Sequence, residues 1–340
     1  MLTSLHIKNF RGFHDLKVGP LARVNLIAGK NNVGKTGVLE ALYLLFSNAE
    51  QFQSFPSAFR NSQEKVVGNP DKQEQKDNFA SFWKWLPYKS QDKEIGQTDI
   101  KASISEDDAF IVTLDEQYVI PPLDNLVFHY QKQNSEERVA RSAIPFSTHA
   151  ETPKNWLRLG ICSTRHYPPP EDADLFNSLN IKKKEKKLLE YLQVIEPRLE
   201  DLKYLKVGSE PLVYADVGLS ELIPITQLGQ GFARVFRFFS EMLIEDAKII
   251  LIDEIENGIH QSVLPEIWKG LAGIAREENL QIFATTHSWE CIQAAHQVFG
   301  ASGHYNFALH RLQRVKGKIQ AVTHDQEMIE VAAETELEIR

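Results

Sequence analysis

GKNNVGKT, Gly29 to Thr36, is the stretch on which the fold turns. It fits the pattern G-x-x-x-x-G-K-[ST], in which glycines let backbone N–H groups curl around a phosphate. A match of this kind arises by chance in about one in a hundred chains of this length, so its surroundings matter. Before it lies Arg23-Val24-Asn25-Leu26-Ile27-Ala28, a short and largely apolar run that reads as a buried strand. After it lies GVLEALYLLF, where Val38, Leu39, Leu42, Leu45 and Phe46 recur at helical spacing. The loop therefore joins a strand to a helix N-terminus, where unpaired N–H groups and the positive dipole end favour an anion. Gly29, Asn31, Asn32 and Gly34 are expected to form the cradle, Lys35 to reach the β- and γ-phosphates, and the Thr36 hydroxyl to reach Mg²⁺.

Three further pieces follow in order: LGQGFARV (Leu228 to Val235), IILIDEIENGIH (Ile249 to His260) and FATTHS (Phe283 to Ser288). Ile249 to Ile252 are four consecutive apolar residues, as in a central strand buried on both faces. Two carboxylates at its end are costly there unless they meet a cation or a reactive water. Asp253 is thus expected to hold Mg²⁺, and Glu254 to polarise the attacking water. Together these pieces predict ATP binding and hydrolysis. No N-K-x-D guanine-reading motif occurs, which argues against GTP.

The combination resembles the ABC-type ATPases of the RecF, SMC and OLD group. The opening LHIKNFRGFHDLKV and the phrases DEIENGIH and FATTHSWECI look most like the OLD-like AAA ATPases. The resemblance covers most of the chain, well at both ends and loosely in the middle. It implies an α/β P-loop NTPase fold of ABC-ATPase type: a mixed β-sheet flanked by helices, with an inserted antiparallel-β and helical lobe. It places LGQGFARV at the signature position and makes His287 the switch histidine that senses the γ-phosphate. It also implies a homodimer with ATP sandwiched between one subunit's P-loop and the other's Gly229 and Gly231. Arg11 resembles a family arginine near the nucleotide, although a plain surface arginine reads equally well. His260 stands where transporter ATPases carry an aspartate. The sequence departs from the family in having Gly229 where a serine is common, which removes one hydroxyl contact but leaves backbone amides. No glutamine-loop residue can be assigned beyond the candidates Gln51 and Gln53.

Composition and charge narrow the function classes. With 38 basic and 46 acidic residues the net charge is -8, so any nucleic-acid contact must be local. Two cysteines without C-x-x-C spacing fit a reducing compartment, and the eleven histidines form no supported H-x-x-x-H pair. Neither a secretory leader nor an 18-residue apolar run is present, so a cytoplasmic protein without membrane contact is expected.

The expected organisation is a single ATPase head. Its nucleotide lobe spans 1–48 and 213–340, and an inserted lobe, 49–212, carries a helical arm at 181–206. Within the insert, 51–77 reads as a polar loop, and 100–104, 109–114 and 126–130 as an antiparallel meander. Phe82, Trp83, Trp85, Leu86 and Tyr88 form an aromatic cluster that reads as packing or as a base-stacking surface. Tyr167-Pro168-Pro169-Pro170 reads as a turn or linker. Apolar spacing from Leu188 to Leu205 reads as a helix interrupted at Pro197. Lys182, Lys183, Lys184, Lys186 and Lys187 read either as a solvated helix face or as a DNA-phosphate patch. The helical stretch is too short for an SMC-type coiled-coil arm. Many OLD relatives carry a C-terminal Toprim nuclease. No acidic metal triad follows FATTHS here, so a nuclease is expected to be a separate polypeptide. The favoured function is an ATP switch in DNA metabolism or phage defence. A nucleotide-gated scaffold with little turnover and a transporter-type ATPase are the alternatives.

Overall fold

The computed structural model describes residues 1–59, 97–114, 127–142, 156–164, 168–244, 247–303 and 305–334. The strand read around residues 23–28 is β3 (Val24–Ala28), and the helix after the loop is α1 (Lys35–Phe46). β3 lies inside a six-stranded sheet that also contains β8 (Arg158–Cys162), β12 (Ala247–Ile252), β13 (Gln281–Thr285), β14 (Phe307–Val315) and β15 (Lys318–His324). Their order is β15-β14-β3-β13-β12-β8, with only β15 antiparallel to its neighbour. Ile250 and Ile252 enter one core and Ile249 and Leu251 the other. Both faces are covered, so the strand sequence is continuously apolar.

A second six-stranded sheet is antiparallel throughout. It pairs β1 (Ser4–Phe10) and β2 (Phe13–Val18) with β4 (Thr98–Ser103), β5 (Ala109–Leu114), β6 (Val127–Lys132) and β7 (Arg138–Ser142), in the order β2-β1-β4-β5-β6-β7. Helix α1 packs in the core shared by both sheets, and every residue from Gly37 to Phe46 is buried. A helix sandwiched in this way is apolar all round rather than along one stripe. Its C-terminal carbonyls are met by side-chain donors from β6, from β7 and from the segment leading into β8. Tyr130 Oη donates to Leu44 O at 3.1 Å, Trp156 Nε1 to Leu45 O at 2.7 Å, and the fully buried Arg141 to Ser47 O. A buried cation at a helix C-terminus also complements the dipole, and Arg141 stacks 4.5 Å from the Tyr130 ring.

The other face of the nucleotide sheet is covered by α3 (Pro169–Ile181), α4 (Glu185–Gln193), α5 (Gln230–Leu243), α6 (Leu264–Glu277), α7 (Trp289–Ala301) and α8 (Gln326–Glu334). A three-stranded sheet of β9 (Asp201–Lys206), β10 (Pro211–Asp216) and β11 (Ile223–Pro224) packs beside α3. Among the described residues, no helix is long and apolar enough to cross a membrane.

Four expectations are corrected. The segment 49–212 is not a lobe apart, because its meander extends the β1–β2 hairpin and its strand β8 lies beside β12. Within 51–77, a helix α2 (Ala49–Ala58) replaces the expected loop up to residue 58. Asn48 and Gln51 form a capping box that starts it, and Phe52 and Phe55 anchor it. Pro169 and Pro170 open α3, where the first turn needs no N–H donor and proline's φ is already helical. The helical reading of 188–205 holds only to Gln193, since residues 201–206 pair as a strand with β10. Short apolar runs fit both periods, and the antiparallel partner decides between them. The aromatic cluster 82–88 lies outside the described residues.

Candidate functional site

The P-loop runs from the C-terminal end of β3 into α1 through conformations that side chains resist. Gly29 and Gly34 have φ of 146° and 92°. A Cβ at Gly29 would lie 2.6 Å from Leu312 O, and one at Gly34 would lie 2.7 Å from the Phe13 ring, so both positions exclude larger residues. Asn31 and Asn32 are exposed on the loop, and Asn32 adopts φ 64°, which asparagine tolerates. Lys35 Nζ arches over the loop and donates to Gly29 O at 2.7 Å and Lys30 O at 3.3 Å. Burial lowers the Lys35 pKa, while Glu254, Glu256 and Asp253 act to raise it. The field of three carboxylates thus reaches the ammonium.

β3, β13 and β12 are neighbours, so their C-terminal ends bring residues 36, 253 and 285 together. Thr36 Oγ1 lies 3.2 Å from Asp253 Oδ1, and Thr285 Oγ1 donates to the same oxygen at 2.6 Å. Burial raises the Asp253 pKa, with Glu254 and Glu40 adding to that and the Thr285 and Thr36 hydroxyls opposing it. A carboxylate so placed is short of positive charge. Its oxygen and the Thr36 hydroxyl are hard donors of the kind Mg²⁺ takes, so these residues fit that ion. Among the described residues no group of three or more His, Cys, Asp or Glu side chains could hold a metal alone. Phosphate oxygens and water would complete the shell, as is usual for nucleotide-bound Mg²⁺.

Glu254 sits in the left-handed region at φ 46°. Strain of this kind persists only where the surroundings hold it. Its N–H donates to Thr285 Oγ1 at 2.8 Å, and its carbonyl accepts from Asn257 N at 2.9 Å and from Arg234 Nη2 at 3.0 Å. Arg234 Nη2 also reaches Asp253 O at 3.1 Å. The start of α5 is therefore tied to the turn after β12 within one chain.

Gly229 caps α5 at φ 99°, exposed, with no atom within 4 Å of where a Cβ would be. Gly231 is different, because a Cβ there would lie 2.7 Å from Gly258 O in the same chain. The signature glycines thus divide: one faces open space, and the other allows close packing on the loop 253–260. His287 follows β13 and is half-exposed, its Nδ1 3.0 Å from Glu256 Oε1. Ser288 then caps α7 by accepting from Cys291 N at 3.1 Å. His260 is exposed and caps a short 3-10 turn, with Nδ1 2.8 Å from Ser262 Oγ.

Several expected residues have other commitments. Arg11 is not a loose surface arginine, because its fork grips Glu40 of α1 at 2.9 and 3.2 Å and both side chains are largely buried. Gln51 Oε1 accepts from Asn48 N at 3.0 Å and its Nε2 donates to Leu159 O at 2.9 Å, so it serves α2. Lys184 and Lys187 pair with Glu278 at 3.1 and 2.7 Å, and Lys187 also with Glu277 at 2.9 Å. Only Lys182, Lys183 and Lys186 of that run are exposed. Sequence reasoning assigned nothing to Thr285, Arg234 or Glu256. The polar cluster Thr285-Thr286-His287-Ser288 at a buried strand's end was the available signal for the first.

The AAA ATPase domain family matches this chain over residues 1–206 and 172–292, and the chain belongs to that family. It thus carries an ATPase domain of the AAA type. Over 336 residues it is 23% identical to an ATP/GTP phosphatase of Helicobacter pylori, covering 88% of each chain. DNA replication and repair protein RecF matches only locally: 38% over 66 residues in Clostridioides difficile and 50% over 44 residues in Shewanella woodyi. Those stretches span 16% and 12% of the two RecF proteins and 19% and 13% of this chain. An Smc head, solved bound to the C-terminal winged-helix domain of ScpA, superposes with a TM-score of 0.55 at 12% identity, covering 98% of this chain and 99% of the other. That likeness establishes the fold.

Proposed function

We propose that this chain is an ATP-hydrolysing switch that closes into a homodimer around Mg²⁺–ATP. The observation that carries this reading is the meeting of Thr36, Asp253 and Thr285 beneath the P-loop, with Glu254 held next to them. Lys35 and the loop amides at Gly29, Asn31, Asn32 and Gly34 bind the phosphates. Thr36 and Asp253 hold Mg²⁺, which supplies charge neutralisation at the phosphates when bound. Glu254 accepts a proton from the attacking water, and His287 senses the γ-phosphate. The open Gly229 amide faces the site of the opposing subunit, with Gly231 shaping the turn behind it. Each charge-assisted hydrogen bond to the γ-phosphate contributes about 1.5–3 kcal/mol, so losing that group on hydrolysis favours opening. The switch acts in DNA metabolism or phage defence through a separate effector, a reading that the short RecF similarity supports. The glycine at 229 keeps a second reading in play, a nucleotide-gated scaffold with slow turnover.

Light scattering with and without Mg²⁺–ATP tests the switch. The mass is expected to double with ATP, transiently for the wild type and durably for Glu254→Gln, with phosphate release abolished in the variant. A mass indifferent to nucleotide in both proteins would refute dimer closure, and near-normal turnover by the variant would remove Glu254 from its role.

A further inference from the structure

Glu256 was given no part in the site, yet its surroundings differ from those of an ordinary loop carboxylate. Its side chain is only 10% exposed, although it lies in the loop between β12 and α6. One oxygen, Oε1, accepts twice from the same residue: from His287 N at 2.8 Å and from His287 Nδ1 at 3.0 Å. The other, Oε2, is buried and has no hydrogen-bond partner among the described residues. The two loops are stitched together just before this point, with Ile255 N donating to Thr285 O at 3.1 Å and Glu254 N to Thr285 Oγ1 at 2.8 Å. Glu256 is also one of the carboxylates whose field is felt at Lys35.

We propose that Glu256 is a positioning residue that locks the His287 ring with Nδ1–H turned toward its carboxylate and Nε2 turned outward to the γ-phosphate. This rests on the placement of His287 at the nucleotide in the reading above. An ionised carboxylate only accepts hydrogen bonds, so Nδ1 carries the hydrogen and the tautomer is fixed. The backbone bond holds the Cα of His287 while the ring bond sets its rotation, so both degrees of freedom of the imidazole are constrained by one oxygen. The outward edge is the accessible one, since the His287 side chain is 54% exposed. Nε2 is thereby the ring edge left to meet a phosphate oxygen, to which it donates only when it carries a hydrogen.

The test begins without nucleotide. In the ¹⁵N-histidine-labelled protein, at about pH 8 and so above the ordinary histidine pKa of about 6.5, the tautomer of His287 is read from long-range ¹H–¹⁵N correlations. The expected wild-type signature is protonated Nδ1 and bare Nε2. Glu256→Ala is expected to release the ring to a mixture of tautomers. Glu256→Gln, whose amide oxygen still accepts, is expected to keep the Nδ1–H form, and it serves as the folded control should the alanine variant be unstable. In turnover, Glu256→Ala is expected to lose about 10–100-fold in kcat with little change in KM, the scale of a residue that orients a functional histidine. Adding Glu256→Ala to His287→Ala should cost nothing more, because the two act as a unit. Protonated Nε2 in the wild type, an unchanged ring signal in Glu256→Ala, or additive kcat losses would each overturn the assignment. Normal turnover in His287→Ala would overturn it through the reading on which it rests. The tautomer spectrum, which needs no nucleotide, tells these two failures apart.

Discussion

Removing one hydroxyl from Thr285 should damage both stability and catalysis, and the structure sets the size of the effect. Thr285 is fully buried at the end of β13, and valine matches its shape and its preference for a strand. The backbone bond from Ile255 N to Thr285 O survives the change. Two other bonds do not: the 2.6 Å donation to Asp253 Oδ1 and the 2.8 Å acceptance from Glu254 N. The first is charge-assisted and contributes about 1.5–3 kcal/mol, and an unpaired N–H left behind costs about 1–3 kcal/mol. The added methyl burial returns about 0.8 kcal/mol. Burial already raises the Asp253 pKa, so proton uptake offers the abandoned carboxylate a partial escape. That consideration places the expected loss in the lower half of the range, about 2–3 kcal/mol. Urea unfolding of the nucleotide-free protein measures it, with Thr285→Ser as the control that keeps the hydroxyl. Mg²⁺–ATP turnover should fall along with stability, because both Asp253 and the strained Glu254 turn lose a tether. A stability change below about 0.5 kcal/mol together with normal turnover would refute the claim that this hydroxyl organises the site.

Three further outcomes follow from the same geometry. Lys35→Ala should abolish ATP binding, measured by calorimetry, because the Lys35 ammonium is the cation that arches over the loop; retained affinity would move the phosphates elsewhere. Asp253→Asn should abolish Mg²⁺-dependent turnover yet stabilise the nucleotide-free protein at neutral pH. The sign follows from a folded-state pKa raised above the unfolded value: the stability from this group is full below the unfolded pKa and is lost as pH rises through the folded one. The advantage of the variant in urea unfolding should therefore grow as pH rises above the unfolded aspartate value of about 3.9, and a constant or shrinking advantage would contradict it. A phosphate track on the lysine run is tested at its exposed members, Lys182, Lys183 and Lys186. Changing those three to glutamine should flatten the slope of log DNA affinity against log salt by up to about 2.7, at about 0.9 per phosphate contact. An unchanged slope would make the run a solvated helix face.

Much of the site was legible in the sequence because its parts are locally encoded. The strand–loop–helix around Lys35 and the apolar run ending in Asp253-Glu254 are each set by a dozen consecutive residues, whose glycines, period and charge admit few structures. His287, by contrast, was singled out only through the family resemblance. Gly231 shows where local reading stops. It was expected to serve only the opposing subunit, yet it also packs on Gly258 of its own chain, so enlarging it would disturb its own loop. Likewise, the glutamine-loop candidate Gln51 serves as a helix cap once α2 is seen.

The sequence alone determined that a glycine-bearing strand-to-helix loop, a carboxylate-tipped central strand and a histidine-bearing segment exist, and in what order. Tertiary structure alone decided that β4 pairs with β1 across some ninety residues, and that β8 lies against β12. The same holds for Arg11 gripping Glu40, Thr285 serving Asp253, and Glu256 holding His287. These pairings link residues from 29 to nearly a hundred positions apart. A repeat of 2 or 3.6 residues carries no record of such partners, which are chosen only when sheets stack and buried polar atoms must find the donors that water no longer supplies.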